Sequence, residues 1–227
     1  MPSSLDNLAQ NALSTGNGGN PTITGISITT TNPTARDMAV TLAVGAPDSG
    51  DAIGGTPGTG WSAVSSGWWN LILAAGPLTV AQAIGGFGNY NALQLLALFK
   101  TITGQTPVWT GRGSGTGGTV LTPGAFTPTA GNSLLWMNVA SHNSSNPSFA
   151  NDGGLNWTLL ANLSQSSVTG GFNHTCGLWM WYAENVPAKP LNLSLNAVGG
   201  AGTWGLLEIS GILAVSLRLL ASTGVGI

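Results

Sequence analysis

The sequence predicts an all-β chain made of two β-sandwich units in tandem behind a short N-terminal arm. Three observations predict it. Gly (35) and Pro (12) cut the 227 residues into apolar runs of strand length, not helix length. Those runs alternate with period two, as half-buried strands do. The order of runs and turns in the first half also returns in the second.

Taken in order, residues 1–20 read as the arm. Leu5, Leu8 and Leu13, with Ala9 and Ala12, are spaced for about two helical turns, and the Gly/Asn-rich run that follows ends them. That run uncouples the arm from the core, so its leucines become candidate contacts with another chain. Residues 21–104 form the first unit, with strands expected over 23–30, 38–44, 69–74, 78–84 and 92–99. Residues 105–118 read as a Gly/Thr-rich linker carrying Trp109. Residues 119–214 form the second unit, with strands over 133–140, 157–163, 176–183, 191–197 and 204–210. In residues 215–227 Val215, Leu217 and Leu219 share one face, which reads as an extra C-terminal strand.

The repeat is carried by four coincidences in the same order. PTARDMAVTLAV (33–44) matches PTAGNSLLWMNVAS (128–141). Met38 to Leu134 and Trp61 to Trp157 are both steps of 96 residues. Pro77-Leu78-Thr79-Val80 leads to Gly85-Gly86, as Pro190-Leu191-Asn192-Leu193 leads to Gly199-Gly200. An apolar strand follows each glycine pair. Each half then has the size and strand number of a two-sheet sandwich.

Charge is scarce. Charged residues make up 5% of the chain and the net charge is -2, against about a quarter charged in an ordinary domain. The five cations, Arg36, Lys100, Arg112, Lys189 and Arg218, never cluster, which argues against nucleic acid and anionic membranes as partners. Cys176 is alone and has no intrachain disulfide partner. No apolar run reaches the length of a bilayer-spanning helix, and the first twenty residues lack the basic and apolar regions of a secretory signal.

Three features could carry chemistry. Asp48 and Asp51 sit in a Gly-rich loop, where turn preference accounts for them as well as a Ca²⁺ site does. His142, His174 and Cys176 hold the only metal-type donors of His and Cys, without a second pair at ligand spacing. There is no G-x-S-x-G elbow and no phosphate loop. The expectation is a protein without enzymatic activity, metal or cofactor.

The aromatic residues say more. Trp179 and Trp181 share one face of their strand, and Leu178, Met180 and Tyr182 the other. A strand apolar on both faces is covered on both faces. One cover is the sandwich core; the other is the sister unit or another subunit. The interface candidates are therefore Leu5, Leu8, Leu13, Trp68, Trp69, Trp109, Trp179, Trp181, Leu217 and Leu219. A sugar-binding aromatic platform is the rival reading.

The second half also carries SLLWMNVAS, NDGGLNWTLLA, GLWMWYAENV, PLNLSLNAVGG and TWGLLEISG in that order. This succession resembles the jelly-roll or Ig-like β-sandwich domains of phage and prophage virion structural proteins. Asp152, Gly154, Trp157, Tyr182, Ala183, Asn185, Val186, Glu208, Ser210 and Gly211 occupy the places of the family's turn, strand end and closing strand. The first half lacks the YA-x-N-V end and the closing Glu. The resemblance implies a non-enzymatic virion protein assembled in the host cytoplasm. It points to a capsid decoration or cement protein held by apolar sheet faces and the arm. Its partners would be the major capsid protein or other virion proteins and sister copies, as a homotrimer. A tail or baseplate protein that recognises host glycans, or a free carbohydrate-binding module, is the alternative.

Overall fold

The computed structural model describes residues 5–19, 22–29, 37–46, 52–53, 55, 57–65, 68–73, 77–83, 89–141, 146–169, 172–197 and 202–213. All regular secondary structure among them is β. The first half holds β1 (Leu5–Gly19), β2 (Thr22–Thr29), β3 (Asp37–Ala46), β4 (Ala52–Ile53), β5 (Ser62–Ser65), β6 (Trp68–Leu73), β7 (Pro77–Ala83) and β8 (Asn89–Phe99). The second holds β9 (Val108–Thr116), β10 (Val120–Leu121), β11 (Ala125–Phe126), β12 (Ser133–Ser141), β13 (Ser148–Asn151), β14 (Thr158–Thr169), β15 (Phe172–Ala183), β16 (Leu191–Asn192), β17 (Ser194–Asn196) and β18 (Gly202–Ser210).

Two large antiparallel sheets dominate. One runs β1-β8-β3-β6-β5, with β4 beside β3; the other runs β9-β18-β12-β15-β14. They stack face to face over one core. Met38, Val40, Leu42 and Val44 of β3 and Leu93, Leu95 and Phe99 of β8 meet Leu135, Met137 and Val139 of β12 and Leu178, Met180 and Tyr182 of β15. The Phe99 and Tyr182 rings close the gap at a centroid distance of 5.5 Å. The opposite faces are covered by smaller sheets: β2-β7 on the first, β10-β17-β13 and β11-β16 on the second. The central strands are thus buried on both faces, which is why β3, β8, β12 and β15 read as almost continuous apolar runs.

Register relates the two sheets. Val40 pairs with Asn70 on one side and Ala97 on the other; Leu135 pairs with Tyr182 and Leu207. In the edge strands Ser62 stands opposite Asn70 and Thr158 opposite Tyr182, and each ladder bulges after the next pair. Trp61 and Trp157, each immediately before its edge strand, therefore hold corresponding positions. The step from β3 to β12 is 95 residues, Val40 to Leu135, and not the 96 read from Met38 and Leu134. A one-residue slip inverts every face: Met38 points into the shared core and Leu134 into the outer layer.

The sheets stack with their orders reversed. β3 crosses β12, β1 crosses β14, and β5 crosses β9. Exchanging the halves maps these three contacts onto one another, whereas β15 packs on β3 and β8 more extensively than β6 packs on β12 and β18.

Two expectations are corrected here. Residues 5–19 are neither helix nor free arm; they form β1, which pairs with β8 from Leu5 to Ser14 and again at Gly19. Helical spacing of three leucines is outweighed by an open edge beside an apolar strand. The linker assigned to 105–118 contains β9, which pairs with β18 from Val108 to Thr116. Two of its glycines are a packing device. A Cβ on Gly113 would lie 2.5 Å from the Pro123 Cβ, and one on Gly115 would lie 2.9 Å from the Trp204 indole nitrogen. Bare backbone on that face lets Trp204 and Pro123 seat against the strand.

Gly177 on β15 serves the same end. The Trp179 ring folds over it, so that an added Cβ would stand 2.0 Å from the ring. Replacing Gly177 by Ala is expected to destabilise the fold by about 1–3 kcal/mol through overpacking, measured by chemical denaturation. An unchanged midpoint would show that Trp179 has another seat.

Candidate functional site

The second half builds its outer layer from aromatic rings. Trp136 on β12 stacks on Trp204 of β18 at 5.5 Å and 24°. It meets Phe149 of β13 edge-on at 5.5 Å and Trp157 at 6.4 Å. Phe149 stacks on Trp157 at 4.8 Å and lies edge-on to Trp181 at 5.7 Å. Such offset and T-shaped pairs follow the ring quadrupole and add to area burial. Phe149 and Trp157 are half-buried, so this pair reaches the surface.

A turn presents the pair. Asn151 Oδ1 accepts from the Gly153 amide at 3.0 Å and Asp152 Oδ1 from the Gly154 amide at 2.7 Å. The Trp157 indole N–H donates to the Asp152 carbonyl oxygen at 3.0 Å, which fixes the ring. This is the Asp-Gly-Trp turn singled out in the sequence.

A charged clamp lies on the same face of the sheet. Glu208, 3% exposed, projects from β18 among apolar neighbours. Arg112 of β9 donates to its Oε2 through Nε at 2.6 Å and Nη2 at 2.5 Å. Its Oε1 accepts from Asn132 Nδ2 at 2.6 Å and from the Thr129 amide at 2.8 Å. The Arg112 guanidinium lies 5.6 Å from the centroid of the Phe126 ring, over its face. Burial pushes the Glu208 carboxyl up; the Thr129 amide, Asn132 and Arg112 outweigh that and hold it below the usual carboxylate range. The clamp joins β9, β18 and the loop before β12. Sequence reasoning noted Glu208 as a motif position and missed its partner. The signal was available: a Glu in an apolar strand of an almost uncharged chain requires a cation.

The expected interface residues fall into several groups. Trp179 and Trp181 are buried within the chain, at 1% and 7% exposure. Their assignment to an intersubunit contact is corrected: the outer face of β15 is covered by β13 and the loops beside it. The Trp179 indole N–H donates to Asn146 at 3.3 Å. Trp109 is half-buried against the shared core. Leu5, Leu8 and Leu13 stand in β1 opposite Phe99, Ala97 and Ala92. Trp68 and Trp69 stand in β6, with Trp69 opposite Thr41 and Ala63. Leu217 and Leu219, with the expected C-terminal strand, lie outside the described residues, as do Asp48, Asp51 and His142.

His174 stands in β15 opposite Ser167. Cys176 is wholly buried in the shared core, and burial pushes its thiol up to about 12. Among the described residues no three His, Cys, Asp or Glu side chains are grouped to hold a metal ion, and no helix is long and apolar enough to cross a membrane. No family model, curated protein or solved structure matches the chain.

Two outcomes follow from these geometries. Glu208→Gln is expected to cost about 1.5–3 kcal/mol at neutral pH, the range for hydrogen bonds to a charged group. The folded carboxyl is more acidic than the unfolded one, so its contribution is complete above the unfolded value near 4.5 and lost as pH falls through the folded value. The stability gap between wild type and variant should therefore be full above the unfolded value and narrow as pH falls through the folded one; a gap independent of pH would contradict the ionised clamp. Cys176 should resist a thiol reagent at pH 8 in the folded protein and react on unfolding; equal rates in both states would contradict its burial.

Proposed function

We propose that the chain is a structural protein of a phage virion, a capsid decoration or cement protein, built as two tandem β-sandwich units. One observation carries the reading. The chain is nearly free of charge, and its long edge strand β14 carries neither charge nor proline. Twelve charged side chains in 227 residues are far fewer than a freely circulating domain carries, which fits a part held permanently in an assembly. The matching registers, the matching bulges and the reversed stacking support the tandem reading.

The mode of contact differs from adhesion through sheet faces, since both faces of the large sheets are covered. Contact with the major capsid protein, other virion proteins or sister copies falls to edges. β14 is the best suited: twelve residues long, at the edge of its sheet, with Leu159, Asn162, Ser164 and Ser166 exposed and no charge or proline to blunt it. A homotrimer is the self-association expected at a threefold capsid position. Absolute quantification of the chain in purified particles tests the reading. Hundreds of copies per virion are expected; a handful would move the protein to the tail, and absence would overturn the virion role.

The second reading, recognition of host glycans, is favoured by the Phe149–Trp157 stack, which reaches the surface beside exposed Asn151, Asp152 and Asn156. It predicts glycan binding that Trp157→Ala abolishes, read on a glycan array.

A further inference from the structure

The layer between the first large sheet and β2-β7 holds three wholly buried polar side chains, one from each of three strands: Thr41 on β3, Gln82 on β7 and Gln94 on β8. The Thr41 hydroxyl lies 2.8 Å from both Gln82 Oε1 and the Leu95 carbonyl oxygen, and donates between them. Gln94 Nε2 donates to the same Gln82 Oε1 at 2.9 Å. Gln82 Nε2 donates to the Gly55 carbonyl at 3.1 Å, which fixes the direction of the Gln82 amide.

Register identifies the corresponding positions in the second half. Thr41 follows Val40 as Trp136 follows Leu135. Gln94 pairs with Ala43 on β3, and Trp204 pairs with Asn138 on β12. Gln82 stands five residues past Pro77, as Leu195 stands five past Pro190. Thr41, Gln82 and Gln94 thus correspond to Trp136, Leu195 and Trp204, which pack together without polar contact among themselves. The same three positions carry opposite chemistry.

Stability does not explain the polar set. Gln94 Oε1 is buried with no hydrogen-bond partner, and a partly satisfied buried network is worse than an apolar layer of the same shape. Discrimination does explain it. The two large sheets have the same strand order, and exchange of like strands is the characteristic error of repeated architectures, within a chain or between copies. If β8 paired with β12 in place of β18, Gln94 would face Trp136, Thr41 would lose the Leu95 carbonyl and Gln82 would lose the Gln94 amide.

We propose that Thr41, Gln82 and Gln94 form a sorting key that holds β3, β7 and β8 together and rejects their counterparts during folding. The inference rests on the register correspondence and is independent of the virion role. Its test uses the full chain, unfolded in denaturant and refolded by dilution. Mass is followed by light scattering, and conformers by the indole N–H signals of the nine Trp residues. Wild type should return as one species with one signal per Trp. The apolar triple variant Thr41→Val/Gln82→Leu/Gln94→Leu should return as a mixture, with extra indole signals or strand-exchanged oligomers. A triple variant that refolds with the yield and the single signal set of wild type overturns the proposal. Should that variant not fold, the near-isosteric Thr41→Val is compared with Thr41→Ser, which keeps the hydroxyl. Extra species in Val that are absent in Ser are expected; identical refolding of the two overturns the key.

Discussion

Everything in this molecule depends on the contact between its two large sheets. Each sheet needs a cover on both faces, because β3, β8, β12 and β15 carry apolar side chains above and below the backbone. The sheets supply one cover to each other, and the small outer sheets supply the second. The hydrophobic effect is proportional to the area withdrawn from water, so one face shared by two sheets stabilises both halves at once. Neither half keeps its inner face dry without the other.

The outer layers then face different demands, and they meet them with different residues. The second half fills its layer with rings and buries one carboxylate, held by Arg112, Asn132 and the Thr129 amide. A buried ion of this kind is held in place at the expense of its hydration, and loss of a single partner is costly. The first half sets two amides and a hydroxyl in the same layer, beside Ala39, Val80, Leu96 and Leu98. A chain with almost no charge has put two of its charged groups into one internal clamp.

Much of this was legible in the sequence, for local reasons. Glycine and proline spacing located many of the strands, although β14 runs on to Thr169 and β15 starts at Phe172, beyond the 157–163 and 176–183 expected; the double-faced apolar pattern of 178–183 announced that β15 is covered twice. The turn at Asn151–Trp157 was recognisable because Asx side chains and glycines close it locally. What escaped depended on distant pairing. Leu5, Leu8 and Leu13 keep helical spacing, yet the edge of β8 draws their segment into the sheet. Gly113 and Gly115 resemble parts of a linker until Trp204 is set against them. The cover over Trp179 and Trp181 comes from within the chain, which no local pattern could reveal. The β3–β12 step was misread by one residue because similar letters, not facing side chains, were matched.

The two large sheets differ in their outer hairpins. β5 and β6 span four and six residues, whereas β14 and β15 span twelve each. Their hairpin continues past Cys176, where β12 ends, through the pairs Ser166–Thr175 to Thr169–Phe172. The molecule therefore has a head and a tail where a true dimer would have neither.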